Sequence, residues 1–203
     1  MVISLLMSTL VQWFLFLLLP MACYAIFMRK HYKLGEMFGL QKASSLPQRE
    51  MWLLVGLNIF FLVYNEWRLT HYGLYLEDIR YQAYQNFGWS GRTILIILVY
   101  SLIKTSFLEE LVFRGFMINA LRLFFSLRVA LHLQAFLFML VHTIGLVILQ
   151  IPAVDVLMSS LIVYLLAYYF GRLFIKSGYS ILYTAIWHGG LNLLAASIDI
   201  FCH

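Results

Sequence analysis

Charge is scarce in this chain. Only 11% of its residues are Asp, Glu, Lys or Arg, against about 25% in a soluble domain. That excludes an ordinary water-exposed surface and a disordered, charge-rich tract. Proline is rare, three in 203 residues, so little interrupts long helices. Cys23 and Cys202 are the only thiols, too few for a disulfide framework and without a CxxC pair. The HExxH of zinc peptidases and the GxSxG of a serine nucleophile are both missing. Asp155 and Asp199 do not form the paired membrane motif of an aspartyl intramembrane protease. No internal repeat or low-complexity tract is present, which counts against a repeat-built transporter.

What is present is apolar. Hydrophobic residues make up 63% of the chain, and mean hydropathy is +0.87. The apolar runs are continuous rather than alternating, as α-helical spans are and barrel strands are not. The fold class is therefore an all-α, polytopic membrane helix bundle, one domain by length. The runs 3–28, 51–67, 93–125, 129–149, 155–175 and 180–201 give about six transmembrane helices. The first lacks a basic leading segment, so it reads as a span and not as a cleaved signal peptide. The third is too long for one perpendicular crossing and predicts a tilt or a break near Gly115. Within 34–50, Met37, Phe38 and Leu40 are expected at the membrane interface. The tyrosine-rich stretch 68–92 predicts an interfacial helix or cap. Residues 1–92 carry two of the spans and no motif, whereas 93–203 carry every polar motif.

The net charge of +5 does not point to nucleic acid, because the basic residues sit between apolar runs. Nine of them fall in 29–50, 122–128 and 172–176, and three (Arg68, Arg80, Arg92) fall on the other side. The richer side is cytoplasmic. This topology places the two cysteines near opposite faces.

One stretch breaks the apolar rule: Ser106-Phe-Leu-Glu109-Glu110-Leu-Val-Phe-Arg114-Gly115. A charge in hydrocarbon costs about 3 kcal/mol even on lenient insertion scales. Glu110 and Arg114 are four apart, so on a helix they pair, while Glu109 faces elsewhere. The fourth run holds Phe138-Met-Leu-Val-His142, and the sixth holds His188-Gly-Gly-Leu-Asn192. Three apolar helices with such groups point to one shared, hydrated cavity. A carboxylate and a histidine there can activate water against an amide. A second histidine and an asparagine can donate to the oxyanion.

The ordered set Glu109-Glu110-xxx-Arg114, Phe138-xxx-His142 and His188-xxx-Asn192 resembles the CAAX-protease and bacteriocin-processing family. The likeness covers about 93–200. It implies an intramembrane endopeptidase in which Glu109 and His142 form the water-activating pair. His188 and Asn192 would stabilise the transition state, with Glu110, Arg114 and Phe138 supporting them. The implied partners are membrane lipid and a membrane-anchored or lipidated substrate, in a prokaryotic plasma membrane. No cofactor is expected. If zinc were used, its ligands would be Glu109, His142 and His188. The rival functions are a non-catalytic peptide-binding immunity or scaffold protein and a proton-coupled transporter. Among the remaining polar residues, His132 is expected at the interface, and His31, His71 and His203 near loops or ends. Lys104 is expected to snorkel or to pair with Glu66, Glu77 or another acid. Asn58, Asn119, Ser159 and Ser160 are expected to bond between helices.

Overall fold

The computed structural model describes residues 1–202, and His203 lies outside them. Every regular element among the described residues is helical. Helix α1 is Val2–Met28. It is followed by α2 (Leu34–Met37), α3 (Gln48–Tyr72) and α4 (Ile79–Phe87). Helix α5 runs without a break over 91–121. The chain closes with α6 (Leu127–Ile148), α7 (Ala153–Lys176) and α8 (Leu182–Cys202). Helices α1, α6, α7 and α8 are long and apolar enough to cross a membrane. Helices α3 and α5 coincide with the other two expected spans and carry more of the charges. The tyrosine-rich stretch contains the end of α3 and the short helix α4.

Local chemistry sets the helix starts. Ser90 Oγ accepts from the Thr93 amide at 3.3 Å and opens α5. Ser126 Oγ accepts from the Val129 amide at 3.4 Å and opens α6. Asp78 Oδ1 accepts from the Arg80 amide at 2.7 Å and opens α4. Each side chain satisfies a donor that the first turn leaves unpaired.

Of the tilt or break expected near Gly115, the break is absent, because α5 is continuous there. Its hydrogen-bond ladder widens to the i→i+5 pattern over Val99–Phe107 and Glu110–Met117. Such widening is rare in helices, and where it occurs it frequently marks a functional site. Neighbouring side chains reach the carbonyls of the first wide stretch. Trp13 Nε1 donates to Ile103 O at 3.2 Å and Gln12 Nε2 to Lys104 O at 3.4 Å. Gly115 has a different purpose from hinging. A Cβ there would run into the backbone carbonyl carbon and oxygen of Phe38. The segment after α2 thus lies directly on α5, and Asn119 Nδ2 fastens it by donating to Glu36 O (3.1 Å) and Met37 O (3.2 Å). Met37 and Phe38 are consequently buried against protein, while Leu40 is exposed. Overpacking against a side chain costs about 1–3 kcal/mol, and backbone yields less readily. Gly115→Ala is therefore expected to cost about 3 kcal/mol, read as a lowered denaturation midpoint in detergent.

The core lies where α5, α6 and α7 meet. Leu108, Val112 and Phe113 pack against Ala135, Phe138 and Ala167. Helix α8 closes on α5 through a small residue: a Cβ on Gly189 would come within 2.6 Å of Leu102 Cδ2. In lipid, where burial of apolar surface gains little, such close packing holds helices together. Helix α3 is fixed to α7 at both ends. Glu50 meets Arg172 at 3.0 Å and Lys176 at 2.8 Å. Asp155 accepts from the hydroxyls of Tyr64 (2.9 Å) and Tyr72 (2.5 Å). Lys104 pairs with neither Glu66 nor Glu77. Its ammonium donates to Ser8 Oγ at 2.9 Å and lies over the Tyr100 ring, because this face of α5 is covered by α1. Ser160 bonds across to Thr143 at 2.6 Å, as expected. Neither amide atom of Asn58 finds a partner, and Ser159 Oγ also lacks a hydrogen-bond partner.

Candidate active site

Helix α5 delivers two adjacent carboxylates, and α8 places a histidine between them. His188 Nδ1 lies 2.9 Å from Glu110 Oε1, and its Nε2 lies 3.8 Å from Glu109 Oε2. Helix α6 brings His142 Nε2 to 4.0 Å from the same Glu109 oxygen. Glu109, His142 and His188 therefore converge from three helices, as the motif spacing predicts. Glu109 Oε2 has no hydrogen-bond partner. Separations of 3.8 and 4.0 Å exceed a direct hydrogen bond and suit groups that share one small polar molecule.

The tautomer of His142 follows from its surroundings. Its Nδ1 lies 2.9 Å from the Phe138 carbonyl, which can only accept. The hydrogen is therefore on Nδ1, and neutral His142 turns an Nε2 lone pair toward Glu109. The four-residue spacing of Phe138 and His142 makes this bond possible within one turn. Phe138 also stacks on the His142 ring at 4.3 Å and meets Phe113 edge-on at 4.9 Å. It is thus both a wall of the site and the element that sets the histidine.

Glu110 and Arg114 form the expected pair, with Nη1 to Oε1 at 3.0 Å and neither side chain exposed. The guanidinium is sandwiched between rings, 4.4 Å from the centroid of Phe138 and 5.3 Å from that of Phe170. Stacking on aromatic faces suits a planar, weakly hydrated cation. Glu110 also holds His188, a contact that the spacing rule for one helix does not reveal.

Asn192 lines the same cavity of about 180 Å³ as His142, His188, Phe138 and Arg114. Its amide, however, turns toward α5. Nδ2 donates to Thr105 Oγ1 at 3.0 Å and to Ser101 O at 3.4 Å, the latter a carbonyl of the wide stretch. Thr105, Phe170 and Phe61, a lining residue from α3, are site components that the sequence alone did not mark. No short motif contains them, and only the helix packing brings them in. His132 is remote from this group: its Nδ1 lies 2.6 Å from the Tyr164 hydroxyl on α7.

Zinc needs ligand atoms about 2.0–2.2 Å from a common centre. No set of three His, Cys, Asp or Glu side chains among the described residues is arranged to hold a metal ion. To hold zinc, Glu109, His142 and His188 would have to draw closer than the present 3.8 and 4.0 Å.

Residues 91–194 match the family model described as type II CAAX prenyl endopeptidase Rce1-like. The matched span contains Glu109, Glu110, Arg114, Phe138, His142, His188 and Asn192, and excludes α1 and α3. No curated protein and no solved structure matches the chain.

Proposed function

Because the chain belongs to the type II CAAX prenyl endopeptidase Rce1-like family, we propose that it hydrolyses a peptide bond of a membrane-anchored or lipidated substrate, with Glu109 and His142 activating the water. The observation that carries this is the approach of both histidine Nε2 atoms to the buried, unpartnered Oε2 of Glu109. Water held between Glu109 and the His142 lone pair gives its proton to the carboxylate as its oxygen attacks the amide carbon. The same proton then passes to the leaving amine as the C–N bond breaks. His188 donates to the oxyanion from Nε2 when its ring is doubly protonated. Its Nδ1–H meanwhile stays on Glu110, which also meets Arg114 Nη1 at 3.0 Å. Asn192 supplies the second donor by releasing Ser101 O, the longer of its two bonds at 3.4 Å. The proposal uses no metal, and its setting is a prokaryotic plasma membrane.

The test uses purified protein in liposomes and an internally quenched peptide carrying a lipid anchor. One internal cut is expected, undiminished by a metal chelator and lost in His142→Ala. Inhibition by chelator with recovery on zinc addition would transfer Glu109, His142 and His188 to a metal mechanism. Tight peptide binding with no product would favour the immunity or scaffold function instead.

A further inference from the structure

Arg80, on α4, reaches both helices that meet at Asn192. Only 11% of its side chain is exposed, and it lies outside the matched residues 91–194. Asp78 holds one edge of its guanidinium: Nε donates to Oδ1 at 2.9 Å and Nη2 to Oδ2 at 2.6 Å. The central carbon of the group lies 5.3 Å from the centroid of the Tyr100 ring. This leaves Nη1 with both hydrogens for other acceptors. Nη1 donates to Asn192 O at 2.8 Å on α8 and to Ser101 Oγ at 3.3 Å on α5. One nitrogen thus joins the two helices at the level of the oxyanion donor.

The joint is placed where position counts. The Asn192 amide rests on Ser101 O and Thr105 Oγ1. Arg80 therefore holds both residues of the Asn192–Ser101 contact, through other atoms than those in contact. Ser101 and Thr105 fall within Val99–Phe107, where the ladder is wide. Side chains from outside tether that stretch: Gln12 and Trp13 at Lys104 O and Ile103 O, and Arg80 at Ser101. A charged donor makes a stronger hydrogen bond than a neutral one, and Asp78 fixes the direction of the fork. To reach an oxyanion, the Asn192 side chain must leave Ser101 O, and it swings from a backbone that Arg80 holds. A misplacement of about 1 Å can cost about 10²-fold in rate.

We propose that Arg80 is a positioning residue for Asn192, its Nη1 setting α8 against α5 so that the asparagine amide meets the oxyanion. This rests on the peptidase function proposed above. A double-variant cycle on the lipid-anchored peptide tests it. Arg80→Met is expected to lower kcat by about 10²-fold with KM nearly unchanged, and Arg80→Lys to keep part of the rate. Asn192→Ala should lower kcat by about 10²–10³-fold, as loss of an oxyanion donor does. In that background Arg80→Met should cost no more than about twofold further, because residues that act through one contact are not additive. Wild-type kcat in Arg80→Met overturns the proposal. So does an equal loss with and without Asn192, since a general brace acts in both backgrounds. If Arg80→Met does not fold, Arg80→Gln takes its place with the same outcomes, its shorter amide still able to meet Asp78.

If the wild type cuts no peptide, the peptidase function fails, and the joint is judged by the asparagine itself. In protein carrying isotope-labelled asparagine, the NMR signal of the Asn192 amide is the one that Asn192→Ala removes. In Arg80→Met it should shift, while the signals of Asn58 and Asn119 stay in place. An unmoved Asn192 signal, or movement of all three, overturns the proposal.

Discussion

Glu109→Gln is expected to lower kcat by about 10⁴-fold, the upper range for a general base. Gln keeps the size and hydrogen-bonding reach of Glu but cannot take a proton. The protein should still fold, because Glu109 Oε2 has no hydrogen-bond partner to lose. Its ring neighbours stand at 3.8 and 4.0 Å, so little packing depends on its charge. A matching elution profile in detergent, together with lost turnover of the lipid-anchored peptide, is the expected pair of results. Glu110→Gln is expected to behave differently. It removes the charge that meets both Arg114 and His188, so it should affect stability as well as rate.

Arg114→Met is expected to carry the largest stability cost. Both members of the Glu110–Arg114 pair are fully buried. Removing one partner of a buried pair costs about 3–5 kcal/mol, because the other charge is left uncompensated. The guanidinium also loses its stacking between Phe138 and Phe170, worth about 2 kcal/mol for a desolvated cation. Chemical denaturation in detergent should show the loss. The double variant Glu110→Gln/Arg114→Met should recover most of it, since two neutral groups of similar shape pack where two charges did. A double variant as unstable as Arg114→Met would assign the cost to lost shape rather than to stranded charge.

Much of this arrangement can be read in the amino-acid sequence, for a physical reason. In an apolar environment a polar residue is expensive, so Glu109, His142, His188 and Asn192 stand out, and their spacings identify shared helix faces. The six long helices are equally visible as apolar runs. Contacts between helices remote in sequence are not. Gly115 reads as a hinge when taken alone, because a glycine that admits a neighbouring backbone has the same letter as one that bends. Its partner is Phe38, far upstream. The partner of Lys104 is Ser8, which α1 brings across. The Glu110–His188 contact needs two helices to be placed before it can be seen.

The most direct test follows the products of one lipid-anchored peptide by mass spectrometry. It compares purified wild type with Glu109→Gln, both in liposomes and in chelator. The expected result is a single pair of fragments from the wild type, their masses summing to peptide plus one water, and intact peptide from the variant. The same fragments from both proteins would contradict the assignment of Glu109 as the group that readies water for attack.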